Sequence, residues 1–221
     1  MRSGSAGPTL RELLTGIGVD PAAVSSGKHC VDFAKIAAFI EVHIEQSARL
    51  DNAVTDRVGV VTGIRGLIRH RTIQAIGETA HAGAVDFPYR KDAALACARF
   101  SSRLYDFWQH ELSLGRDLVA TTGVIRTSPS ASMNKIAGEC IVSLDARSLS
   151  AAELNLFEKK VEAILQETAE ETGVIFKTDP LMRIAPGYPA SQTFSILFEA
   201  ALNRTFEELE NWKRGDDLRP L

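Results

Sequence analysis

An α+β fold follows from three features of the sequence. Short β-branched runs alternate with helical segments, two long helices carry apolar stripes, and residues 67–184 run in the order β-α-β-β-α-β. Ile68–Gly77 reads as the first strand, and ETAHAGAVDFPY as the irregular segment after it. Arg90–Leu112 reads as a helix, with Ala93, Cys97, Phe100, Leu104 and Phe107 or Trp108 at spacings of three and four and Gly115 ending it. Leu118–Thr127 reads as a strand with β-branched residues on both faces. A loop through Ser128, Pro129 and Ser130 leads to Glu139–Arg147, where Cys140, Val142, Leu144 and Ala146 alternate with Ile141, Ser143, Asp145 and Arg147. The second helix opens on Ser150 as N-cap with Glu153 at its third position. Leu154, Phe157, Val161, Ile164 and Leu165 form its stripe, and Gly173 suits its C-cap. Val174–Lys177 begins the last strand. This order predicts the split ferredoxin-like arrangement, an antiparallel sheet with both helices on one face.

The flanks, 1–66 and 185–221, add an element or two each and no second complete core. Thr9–Gly16 predicts a short helix, because Thr9 and Glu12 form a capping box. Asp32–Ala38 predicts another helical turn. Phe39–Glu45 (FIEVHIE) alternates as a half-buried strand does, with Ile40, Val42 and Ile44 on one face. Val58–Thr62 is a β-branched run ended by Gly63 and Gly66.

Of the 221 residues 45% are hydrophobic and 24% charged, the balance of a soluble globular chain rather than a disordered one. The net charge of −3 gives no basic excess for nucleic acid or an anionic membrane surface. MRSGSAGPTL lacks the apolar core of a secretory signal, and Ile36–Ile40 is too short to span a bilayer. Cys30, Cys97 and Cys140 are widely spaced with no C-x-x-C pair, so a reduced, cytoplasmic setting is expected.

His43 shares a strand face with Glu41 and Glu45, a pattern that could ligate zinc, although a metal needs three or four converging ligands. A strand histidine is more often simply hydrogen-bonded. His81 sits in AHAG, where small neighbours leave room for a ligand to reach the imidazole; the alternative is a solvated turn histidine. Arg147 could hold a carboxylate in two parallel bonds, or pair with Asp145. Asn134 could be a turn former. Glu170 and Glu171 read as a solvated helix end, and Gly63-Ile64-Arg65-Gly66 is too short for a nucleotide fingerprint.

Six ordered motifs carry a resemblance: FIEVHIEQ, VGVVTGIRG, GETAHAGAVDFPYRKDA, LVATTGV, MNKIAGE and SLDARS. Together, over about residues 9–205, they resemble the amidase, hydantoinase/carbamoylase family of the dinuclear-zinc aminoacylase and carboxypeptidase superfamily. That family includes N-carbamoyl-L-amino-acid hydrolases, allantoate amidohydrolases and β-ureidopropionases. The resemblance implies a ferredoxin-like lid and dimerisation domain at 67–184, with 1–66 and 185–221 as partial segments of an α/β catalytic domain. It implies that His43 is a ligand of a divalent metal, zinc first, and that Gln46 contacts substrate. His81 resembles the histidine that a partner subunit's lid brings to the scissile carbonyl, and Asn134 and Arg147 the lid residues that grip the substrate carboxylate.

The family's H-x-D segment, its acidic pair and its late glycine-rich histidine motif have no counterpart here, and the tail ENWKRGDDLRPL departs from the pattern. Ala80, Ser47 and Ala137 stand where a polar residue, a glycine and a proline are more usual. One ligand does not make a two-metal site. The chain therefore reads as a fragment of a metal-dependent amidohydrolase that cleaves linear C–N bonds in N-carbamoyl or ureido acids, a homodimer through the lid and inactive alone. The alternative is a non-catalytic dimerisation or binding module derived from that family.

Overall fold

The computed structural model of the chain describes residues 7–27, 31–36, 39–48, 50, 52, 59–61, 63–187, 196 and 199–205. Cys30, both ends of the Val58–Thr62 run, most of the segment from Phe194 to Phe198 and the tail beyond Thr205 lie outside the described residues. Two units are separable, Met1–Arg57 and Val58–Leu221.

In the first unit, helix α1 (Leu10–Gly16) is fixed by the expected capping box. The Thr9 hydroxyl accepts from the Glu12 N–H at 3.3 Å, and Glu12 accepts from the Thr9 N–H at 2.7 Å. Helix α2 (Pro21–Ser25) opens beneath Asp20, which accepts from the Ala22 N–H at 2.9 Å; Pro21 stands where its missing N–H leaves no bond unmade. Asp32 caps a single 3-10 turn, Phe33–Lys35, shorter than the expected turn to Ala38.

The strand expected over Phe39–Glu45 does not form; these residues are irregular, with Val42 94% and Ile44 78% exposed. Alternation holds a strand only when a neighbour takes its backbone N–H and C=O groups and a second layer covers its apolar side. No described residue of this unit supplies either.

The second unit holds strands β1 (Gly66–Ile76) and β2 (Ala80–His81), helix α3 (Ala93–Ser113), and strands β3 (Val119–Thr121), β4 (Ile125–Thr127), β5 (Lys135–Ile136) and β6 (Glu139–Ser148). Helix α4 (Ala151–Thr172) and strands β7 (Ile175–Thr178) and β8 (Met182–Ile184) complete it. The mixed helix-and-sheet architecture is the one expected. β6 and β1 pair at the centre of the main sheet; β3 and β4 flank β6, β7 and β8 flank β1, and every pairing is antiparallel. Helices α3 and α4 pack on each other and on both central strands, hence on one face. Between them lie Ile68, Ile73, Val142 and Leu144 of the sheet and Cys97, Phe100, Leu104, Phe157 and Ile164 of the helices, all buried. Burying such side chains is the main stabilising contribution, on the order of 1.5–3 kcal/mol each.

Helix α4 starts and stops where the sequence places it. The Ser150 hydroxyl accepts from the Glu153 N–H at 3.3 Å. Glu153 does not close the box on Ser150 directly: it accepts from the Ser148 hydroxyl at 2.7 Å, and that oxygen accepts from the Ser150 N–H at 2.9 Å. Gly173 ends the helix at φ 64°, a left-handed position that favours glycine. Ser150→Ala is expected to lower stability by about 1 kcal/mol, read as a lower urea midpoint at unchanged slope.

Two strand expectations change. Leu118–Thr127 is not one strand: β3 and β4 are separated because four steps from Thr121 to Ile125 face three from Asp145 to Val142. The extra residue is accommodated as the Ser143 hydroxyl accepts from the Val124 N–H at 3.0 Å and the Ser143 N–H donates to the Val124 carbonyl at 3.0 Å. The last strand is likewise divided into β7 and β8, with Asp179-Pro180-Leu181 between. Asp179 accepts from the Arg71 and Thr72 N–H groups, each at 3.2 Å, and so fills the irregularity in β1 between His70 and Ile73. Just outside the sheet, Ile64 and Gly187 exchange backbone bonds of 2.7 and 2.9 Å, so the segments before β1 and after β8 run side by side.

Candidate functional site

The β1–β6 ladder continues beyond Ile76 and Glu139 into the small β2–β5 ribbon, where Ala80 faces Ile136 and His81 faces Lys135. His81 Nδ1 accepts from the Gly83 N–H at 3.1 Å. In the neutral ring the proton then sits on Nε2, which is left as a donor on an exposed side chain. The following loop is pinned by Arg90, which donates to the carbonyls of Val85, at 2.9 Å, and Ala82. Asn134 belongs to the same corner: its carbonyl accepts from the Ala82 N–H at 2.9 Å, and its side-chain oxygen accepts from the Ser132 hydroxyl at 2.7 Å. That arrangement leaves the amide N–H groups of Asn134 to serve a ligand.

Arg147 lies on the sheet face away from the helices. Its register partners are Leu67 and Val119, and it donates from Nε to Asp145 at 2.7 Å. Asp145 also takes Arg69, whose Nε lies at 2.8 Å. Two guanidiniums therefore share one carboxylate, and the cluster keeps one net positive charge on a half-exposed arginine. Partial burial opposes ionisation of Asp145, but the hydrogen bonds from Arg147 and Arg69 outweigh it and hold its carboxyl below the ordinary value of 3.8. The same bond to Asp145 raises the pKa of Arg147. A carboxyl lowered in the folded state stabilises above its unfolded value, and that contribution is lost as pH falls through the lowered one. Asp145→Asn should thus narrow the difference in unfolding free energy between neutral pH and the acid side of 3.8, measured by urea denaturation.

The structure brings His81 and Asn134 together but keeps Arg147 apart from them. Eight residue steps along β6 separate Glu139 from Arg147, about 26 Å at roughly 3.3 Å per step, and the ribbon begins beyond Glu139. In the other unit His43 and Gln46 are both exposed. His43 Nδ1 contacts the Ile44 carbonyl at 2.6 Å, and Glu45 is turned to the Leu50 N–H at 2.8 Å. Among the described residues no group of three or more His, Cys, Asp and Glu is arranged to hold a metal ion. No described helix is long and apolar enough to cross a membrane. Arg69 and Arg90 escaped the sequence reading. Arg69 meets Asp145 only through strand register, whereas the position of Arg90 at the end of the AHAG loop was an available signal.

No family model matches the chain. It is 29% identical over 195 residues to an N-carbamoyl-L-amino-acid amidohydrolase of Paenarthrobacter aurescens, covering 88% of this chain and 45% of that protein. It is 30% identical over 171 residues to an allantoate amidohydrolase of Bacillus subtilis, covering 77% and 40%. Among solved structures it is similar to an amidase of the hydantoinase/carbamoylase family from Burkholderia multivorans, with TM-score 0.65 and 25% identity over 74% of this chain and 38% of that one. The chain spans less than half the length of each of these proteins. Over that shared part, it is a relative of the N-carbamoyl-amino-acid hydrolases, allantoate amidohydrolases and hydantoinase/carbamoylase amidases.

Proposed function

We propose that this chain contributes the ferredoxin-like lid and dimerisation domain, with adjoining catalytic-domain segments, of an amidohydrolase that cleaves linear C–N bonds in N-carbamoyl or ureido acids. Arg147 receives the substrate carboxylate in two parallel bonds, and Asn134 adds an amide donor. His81 offers its Nε2–H to the carbonyl oxygen as that oxygen gains negative charge during attack on the scissile carbon. The carrying observation is the Arg69–Asp145–Arg147 cluster, a preformed anion grip with one uncompensated positive charge.

The distance of about 26 Å along β6 supports a homodimer, because a ligand held by both Arg147 and Asn134 then needs one residue from each of two copies. The divalent-metal reading, zinc first, rests on His43 as ligand. The described residues do not fit a metal around it, so the chemistry assigned to them is recognition, orientation and hydrogen bonding. The alternative is a binding or dimerisation module without catalysis. Isothermal titration with N-carbamoyl-L-alanine and with its carboxamide tests the carboxylate grip. Saturable binding of the acid, at least about tenfold tighter than the amide, supports it. Equal affinity, or no binding of the acid, overturns it.

A further inference from the structure

A cavity of about 440 Å³ opens between helix α4, the irregular part of β1 and the turn joining β7 to β8. Ile68, Leu144 and Val161 lie at its base but are almost fully buried, so the apolar floor open to a ligand is made by the partly buried Leu165 and Leu181 and the exposed Pro180. Ile68 and Leu144 point to the helix side of the sheet, so the sheet itself separates this cavity from Arg147 and Asp145. Its size lies within the range of small-molecule sites, roughly 300–1,000 Å³.

The polar groups on its wall are mostly acceptors. His70 is only 13% exposed at its side chain, and its Nδ1 lies 3.0 Å from the Asp179 carbonyl and 3.2 Å from the Asp179 carboxylate. Both neighbours accept, so in the neutral ring Nδ1 carries the proton and Nε2 keeps its lone pair. Asp179 is locked in place by the Arg71 and Thr72 N–H groups. Glu158 and Glu162 project from α4; Glu158 pairs with Arg183, whereas Glu162 has no ion-pair partner among the described residues. No lysine or arginine lines the cavity. The wall thus asks for a ligand that donates hydrogen bonds and carries positive charge, and the floor asks for an apolar body. A bare metal ion does not meet this description, because the described residues form no metal-holding group.

We propose that this cavity binds small amphipathic ammonium ions: a primary amine whose head meets Glu162 and His70 and whose short aliphatic or aromatic tail lies on Leu165, Pro180 and Leu181. The site is independent of the carboxylate grip on the opposite face of the sheet. Titration with 2-phenylethylamine, 2-phenylethanol and 3-phenylpropanoate, followed by calorimetry and by the methyl NMR signals of Leu165 and Leu181, tests it. The amine should bind at least about tenfold more tightly than the alcohol, the anion should not bind, and those methyl signals should move, because charged hydrogen bonds set the preference. Glu162→Gln, at an exposed position whose fold can be checked by circular dichroism, should weaken the amine about fivefold or more while leaving the alcohol unchanged. Equal affinity for amine and alcohol, an amine affinity untouched by Glu162→Gln, or no methyl shifts on amine addition would overturn the proposal.

Discussion

Replacing Gly77 by alanine is expected to lower the unfolding free energy by about 3 kcal/mol, at the upper end of ordinary overpacking. A Cβ there would overlap the Lys91 carbonyl oxygen and lie 2.8 Å from its carbonyl carbon and 3.3 Å from the Ala93 nitrogen. These are backbone atoms, which cannot swing aside as a side chain can. Three segments meet at this point: the Gly77 N–H bonds the Gly138 carbonyl at 2.8 Å, the Glu78 N–H the Lys91 carbonyl at 2.9 Å, and the Ala93 N–H the Ala137 carbonyl at 2.9 Å. The junction anchors both the start of α3 and the ribbon that holds His81, so the substitution should loosen the candidate site as well. Urea unfolding checks the first effect and the His81 ring signals the second. Gly16→Ala is the control: nothing lies within 4 Å of a Cβ there, and alanine at the end of α1 should leave stability unchanged or raise it, by at most about 1 kcal/mol.

Arg147→Ala is expected to weaken binding of N-carbamoyl-L-alanine about 30- to 100-fold, the equivalent of roughly 2–3 kcal/mol for a charge-assisted pair. The arginine supplies the fork, and its removal also leaves Asp145 neutralised by Arg69 alone, so the cluster falls from one positive charge to none. Arg147→Lys should restore the charge without restoring the affinity, because a point ammonium cannot make two parallel bonds to a carboxylate. Half of the arginine side chain is exposed, so the fold should survive both changes. Calorimetry reads the affinity, and a change within about threefold would place the carboxylate elsewhere.

The parts of the structure that were legible in the sequence are those fixed by neighbours close in the chain. Thr9 with Glu12, Ser150 with Glu153 and Gly173 mark helix ends through bonds spanning three or four residues. The stripes of α3 and α4 read correctly because each helix buries one face on a sheet formed by the same unit. Phe39–Glu45 shows the limit: its alternation is real, but a strand exists only with a ladder, and the unit that holds it provides none among its described residues. The break between β3 and β4 is decided by a count on the opposite strand, and the division of the last strand by the irregularity in β1 that Asp179 fills, neither of which local pattern contains. At the site, Arg147 and its pairing with Asp145 were visible two residues apart. Arg69 was not, since it lies 76 residues from Asp145 and reaches it through register. The separation of Arg147 from Asn134 is likewise a property of strand length and direction rather than of either motif.

That separation leads to the most direct test of the central claim, that the carboxylate grip is assembled from Arg147 of one copy and Asn134 of another. Arg147→Ala and Asn134→Ala chains are each titrated with N-carbamoyl-L-alanine alone, and then after equimolar mixing under conditions that allow subunit exchange. Each variant alone should bind poorly. Random exchange puts half of the chains into mixed dimers with one intact site of two, so the mixture should recover about a quarter of the parental binding capacity at parental affinity. A mixture that binds no better than its two components would contradict the shared site.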